Sequence, residues 1–226
     1  MKPYIILLFS MIVTILTSQS NLKVKFNHNA GGKAIELNKT VFNLTNGKAV
    51  MLTRAEFYLS GIKAYNGVSS DSFSFANSYL LVNAERPNEE HEIGEMPSGF
   101  DFRILRWDVG VDKVKNHADP SLYPSTHPLG LQIPSMHWGW AAGYRFMALE
   151  GKIDGNNDGV PEQDFQFHNL GDDLLFRAML DMNGSHHVES EPLIVDLDYV
   201  KLFDNIAMTG NIVLHGSGAK NKTMMQ

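Results

Sequence analysis

Leu22-Lys23-Val24-Lys25-Phe26-Asn27-His28 alternates apolar and polar residues with a period of two and stops at Gly31-Gly32. That period puts Leu22, Val24, Phe26 and His28 on one face of a half-buried strand. The same grammar recurs downstream. Val41-Phe42-Asn43-Leu44 runs into Asn46-Gly47 and resumes at Ala49-Val50-Met51-Leu52, which predicts a hairpin because Asn-Gly accepts the positive φ that tight turns need. Ala55–Tyr65 mixes strand and helix signals. Phe73–Val82 and Phe100–Val111 read as strands, the second rich in β-branched and aromatic residues. Four further strands are expected within Asp164–Leu170, Leu174–Leu180, Leu193–Leu202 and Ala207–Leu214. No long segment keeps a helical period, so the expected fold is all-β: an antiparallel β-sandwich in a single domain with a minor helix.

The ends are read separately. Lys2 followed by the apolar run Ile5–Leu16, with Ser18 and Ser20 as small residues before a cut after Ser20, reads as a signal peptide over residues 1–20. The apolar stretch falls short of the roughly 20 residues a membrane span needs. An exported protein, periplasmic or secreted, is therefore expected, with no span in the mature chain. The sandwich is expected over 21–215 and a flexible tail over 216–226, where Gly, Lys and Asn dominate. Between the strands, Asn116–Pro134 is a long loop carrying four prolines, and loops of that length are usually functional or disordered.

Composition narrows the chemistry. The 226 residues carry a formal charge of −6, which argues against a nucleic-acid binder, since phosphate contacts need clustered Lys and Arg. There is no cysteine, which removes disulfides, thiol catalysis, iron–sulfur clusters and cysteine zinc sites. A soft metal must bind through the nine His, the eleven Met or carboxylates. Nucleophile elbows, phosphate loops and His-Glu-x-x-His are all missing, so no enzyme activity is expected.

Asp154-Gly155-Asn156-Asn157-Asp158-Gly159 fits the opening of a calcium loop: oxygens at alternating positions face one point and Gly allows the turn. The twelfth position is Phe165, so it is not an EF-hand; Glu162 or Asp164 would close the shell. A plain polar turn fits the same residues. Histidines are scattered without ligand spacing. His28 sits on the apolar face of the first strand, and His168 lies opposite Phe165 and Phe167. His127 and His137 flank Trp138. His91 and His117 fall in loops, His186-His187 in a turn and His215 near the chain end.

Met136-His137-Trp138-Gly139-Trp140 is the sharpest segment. As a strand it would put Met136, Trp138 and Trp140 on one face, with a pair of core tryptophans as the plain reading. Met136 through Phe146, with Leu149-Glu150-Gly151, resembles the Met-x-Trp-x-Trp-x-x-Gly-Tyr…Leu-Glu-Gly signature of the MbnP-like copper-binding family. Phe57–Ile62, Val109–Asp112 and Phe165–Gly171 resemble three weaker segments in the family's order, and together they cover residues 22 to about 205. The resemblance implies a secreted β protein holding one copper ion by His residues. In some members a Trp oxidised to kynurenine joins the ligands, and a di-haem peroxidase-like enzyme serves as modifying partner. It implies Trp138 or Trp140 as the oxidised residue and His168 as the best-matched ligand. The second His is not assigned by motif; His28 is the first choice as the inward-facing one, followed by His137 and His127, with Met136 as a soft contact. Copper, with Cu(I) favoured, is the expected metal, and calcium a second candidate. The rival reading is a non-catalytic sandwich that binds a sugar or peptide across the Trp138/Trp140 face.

Overall fold

The computed structural model describes residues 19–67, 71–97, 99–188, 191–210 and 212–225. The expected leader lies outside these residues, except that Gln19 and Ser20 open the first strand. The strands are β1 Gln19–Ala30, β2 Lys33–Ala34, β3 Val41–Asn43, β4 Ala49–Tyr65, β5 Ser72–Ser74, β6 Leu80–Asn83 and β7 Glu90–Pro97. They continue with β8 Phe102–Val109, β9 Arg145–Ile153, β10 Gln163–Leu170, β11 Phe176–His186, β12 Leu193–Asp198 and β13 Val213–Gly216. Among the described residues are two short helices, α1 Lys113–Asn116 and α2 Ala219–Met224.

These strands form two sheets. The smaller orders β12-β1-β2, with β7 on the other part of β1; the larger orders β11-β8-β4-β9-β10-β13, with β3, β5 and β6 also pairing to β4. Most pairs are antiparallel, as expected of the sandwich. Two are parallel, β1 with β12 and β10 with β13. One apolar layer lies between the sheets: Leu22, Val24 and Phe26 meet Leu59, Val82, Leu105 and Trp107.

β4 explains its own ambiguous sequence. It is 17 residues long and buried on both faces for much of its length, so its apolar residues run together instead of alternating. It bends at Gly61, where pairing to β8 slips between Ser60 and Lys63. Gly61 has φ +59°, a left-handed conformation that favours glycine.

Three local expectations change. Phe73–Val82 is not one strand: β5 and β6 are separate short strands on β4. The long loop is ordered by α1, a 3₁₀ turn at Pro120–Leu122 and a buried Leu129. It covers the outer face of the large sheet, where Tyr58 and Tyr144 meet edge to face at 5.4 Å. The tail expected to fray instead forms α2, because Met224 and Met225 bury in the main core and Asn221 bonds to Asn169 at 2.6 Å.

Candidate metal centre

Residues directly opposite each other in neighbouring strands share a face. On the outer face of the large sheet, Glu56 of β4, Ala148 of β9, His168 of β10 and His215 of β13 form one row. The adjacent row holds Arg54, Glu150 and Gln166. Phe165 and Phe167 take the opposite face and sink into the core. Alternation along β10 thus turns His168 to the polar side, as its sequence predicts.

The His168 and His215 rings stack, with centroids 4.6 Å apart and planes at 11°. Trp138 closes over them, 4.7 Å from His215 and 5.7 Å from His168. The guanidinium of Arg145 lies 4.3 Å from the centre of the Trp138 ring, a cation–π contact. His168 is 6% exposed. Its Nε2 is 2.8 Å from Glu150 Oε1, while its Nδ1 is buried with no hydrogen-bond partner. His215 Nε2 lies 3.3 Å from Gln166 Oε1.

Charge is balanced around the pair. Arg54 donates to Glu150 and to Glu56, both at 3.1 Å, and Asn83 donates to Glu56. The hydrogen bond from His168, then Arg54, against the opposing effect of burial, hold the Glu150 carboxyl down at about 2. Burial first, then the neighbouring His168 and Arg145, lower the His215 pKa, which favours a neutral imidazole with a lone pair to offer.

The Trp-containing segment is not a strand. Trp138 N–H donates to Gly143 O, Gly143 N–H to Gly139 O and Arg145 N–H to Met136 O, closing a compact loop with one bridge at His137 and Tyr144. Gly143 has φ +75°, and a Cβ would collide with Asn116, whose Oδ1 accepts from Tyr144 N–H. The two tryptophans are not core residues. Trp138 is 41% exposed at the His pair and Trp140 is 69% exposed, its carbonyl held by His117.

The other expected ligands are elsewhere. His28 belongs to the small sheet; its Nδ1 bonds to Tyr199 Oη at 2.7 Å and the two rings stack. His137 accepts from Gly139 N–H and packs edge-on against Tyr144. His127 stacks on Tyr123. Met136 is buried, and its Sδ accepts from Arg54 at 3.3 Å. The second imidazole beside His168 is His215, which sequence reasoning left unassigned. The strand expected over Ala207–Leu214 stops short of it, whereas β13 runs Val213–Gly216, and the neighbour of His215 depends on a parallel pairing that no local pattern reports.

In the acidic loop, Asp154, Asp158 and Glu162 bring carboxylate oxygens within 4.8 Å of one another. The Asp154 oxygens already accept from the backbone N–H groups of Asn157, Asp158 and Gly159. Lys48 bonds to Asp154 O and Asn157 Oδ1. Asn156 donates to Asp158, and Asp164 pairs with Lys152 at 2.7 Å. These contacts are those of a self-closed polar turn.

The family model for MbnP matches residues 19–225. The chain belongs to the MbnP family. The fold of MbnP from Methylosinus trichosporium is similar: TM-score 0.59 at 16% identity, covering 89% of this chain and 82% of that one. No match was found among the curated proteins. Family membership spans every strand described above, including β13 with His215. Among the described residues no helix is long and apolar enough to cross a membrane.

Proposed function

We propose that the chain is an exported copper-binding protein that holds one copper ion on His168 and His215, with Trp138 as the third side of the site. The observation that carries this reading is the buried, unpartnered Nδ1 of His168 in a stacked imidazole pair beside Trp138. Leaving such a group unsatisfied costs about 1–3 kcal/mol, which a ligand on its lone pair would offset. Two imidazoles without a thiolate suit copper or zinc, and the family likeness favours copper. Cu(I) is the first choice, because two neutral nitrogen donors meet its low coordination demand. We read the ion as cargo to be captured or delivered, and the protein as a carrier, not a catalyst.

Trp138 is the residue this reading assigns to oxidation. It touches the His pair and is open enough for an external oxidant to reach. Opening the indole C2–C3 bond takes up two oxygen atoms, one from each of two peroxides reduced to water. Hydrolysis then releases formate and leaves an aryl amine and a ketone beside His215. A di-haem peroxidase-like partner would supply that chemistry. The rival use of a Trp138/Trp140 face for sugars or peptides is weaker, because Arg145 and His215 already engage the Trp138 ring and Trp140 is not packed with it.

Metal analysis and intact mass on protein from its native host test the proposal. The expected result is one equivalent of copper, lost in His168→Ala and His215→Ala. A gain of about 4 Da on the Trp138 peptide, one carbon lost and one oxygen gained, marks the oxidation. Absence of binding when Cu(I) is added to the apoprotein overturns the copper reading.

A further inference from the structure

The copper reading names ligands but not which atom each offers. A neutral imidazole has one donor and one acceptor nitrogen, and the acceptor is the one available to a metal. For His168 the surroundings decide between them. Glu150 Oε1 stands 2.8 Å from Nε2, and a carboxylate can only accept, so Nε2 carries the proton. Nδ1 is then the free lone pair, and it is the atom that is buried without a partner.

Glu150 is itself held in place. It faces Arg54 across β4 and β9 and accepts from its Nη1 at 3.1 Å. The same guanidinium reaches Glu56 at 3.1 Å and, through Nη2, the carbonyls of Pro134 and Ser135 and the sulfur of Met136. Those residues begin the loop that carries Trp138. Arg145, which covers the Trp138 ring, also bonds to Ser135 O. The imidazole and the indole are thus fixed by one connected set of contacts.

We infer that Glu150 is a positioning residue: it keeps the proton of His168 on Nε2 so that Nδ1 faces the metal, and through Arg54 it joins that imidazole to the Trp138 loop. This rests on the copper reading for the identity of the metal, but the proton placement belongs to the metal-free protein. Carboxylate–histidine pairs of this kind raise ligand basicity and fix ring orientation, and losing the outer partner costs about 10–100-fold in metal affinity.

The test is long-range ¹H–¹⁵N NMR of the metal-free full chain, which reads the tautomer of each histidine directly. His168 is assigned by its missing signals in His168→Gln. Wild type is expected to show His168 protonated at Nε2. In Glu150→Ala a mixture of tautomers is expected, and in Glu150→Asp the Nε2–H form is expected to recover in part. Arg54→Lys gives a second route should Glu150→Ala not fold: the carboxylate stays and its anchor weakens, so the Nε2–H form persists while the indole emission of Trp138 changes. A competition titration with Cu(I) then reads affinity, with about a 10–100-fold loss expected in Glu150→Ala. An Nδ1–H form in wild type, or an unchanged tautomer in Glu150→Ala, overturns the inference whatever the metal does. The expected tautomers with no copper bound by wild type overturn the copper reading and remove Nδ1 as its ligand atom, while Glu150 keeps its role in placing the proton.

Discussion

His28 and His168 are both buried histidines on strands, 5% and 6% exposed, although His28 shares its face with apolar residues and His168 lies opposite two phenylalanines. Their environments are opposite. His28 lies in the small sheet with Nδ1 bonded to the Tyr199 hydroxyl and its ring stacked on the phenol. His168 lies in the large sheet with Nε2 on Glu150, Nδ1 unpartnered and a second imidazole stacked on it. His28 has its Nδ1 satisfied by the Tyr199 phenol; His168 has its Nδ1 buried without a partner. Burial alone does not separate a structural histidine from a ligand. The fate of the second nitrogen does.

The largest expected effect breaks that contrast at the metal. His168→Ala and His215→Ala should each weaken copper binding by about a thousandfold or more, roughly 4 kcal/mol, whereas His28→Gln should leave the affinity unchanged. Competition titration with a Cu(I) chelator measures all three. Equal losses in all three variants would refute the distinction.

Next comes acid stability. Burial first, and the neighbouring His91 second, depress the His28 pKa from 6.5 to about 4. The unfolded chain therefore binds more protons between those values. The stabilisation is fully present above pH 6.5, falls as pH drops through the window, and levels off below pH 4. It amounts to about 3 kcal/mol. Urea titrations from pH 7 to 4 should show the decline in wild type and a flatter profile in His28→Gln.

A smaller effect is expected at Arg145. Replacing it with Met removes the cation over Trp138, a contact worth about 0.5–2 kcal/mol. Copper stoichiometry should hold while affinity falls by the corresponding factor, and Trp138 emission should shift. The smallest effect concerns the acidic loop. Asp154→Ala should lower the melting temperature by removing the acceptor for three backbone N–H groups, and millimolar calcium should leave wild type unmoved. A calcium-dependent rise in melting temperature would favour the metal reading of that loop.

Much of the fold is legible in local patterns. Alternation marks β1, and Asn46-Gly47 marks the hairpin of β3 and β4. β10 shows His168 opposite Phe165 and Phe167 before any contact is known. What is not legible is pairing between distant strands. Nothing in Val213-Leu214-His215 says that it lies parallel to β10 with His215 opposite His168. Nor does Met136–Trp140 announce that backbone turns at Gly139 and Gly143 will curl it into a loop; its alternation suggests a strand, and the glycines with Asn116 overrule it. The inward face of β1 drew attention to His28 because the sequence cannot show Tyr199, 171 residues away, waiting to bond it. The C-terminal helix is hidden for the same reason: its Met224 and Met225 look unremarkable until the core that receives them exists.

The parallel docking of β13 on β10 also sets an order of events in time. Residues 213–216 are synthesised after the twelve strands before them, and only they bring the second imidazole. Until they are made, His168 and Trp138 lack the ring they both pack against. A chain cut before Val213 lacks the imidazole that stacks on His168.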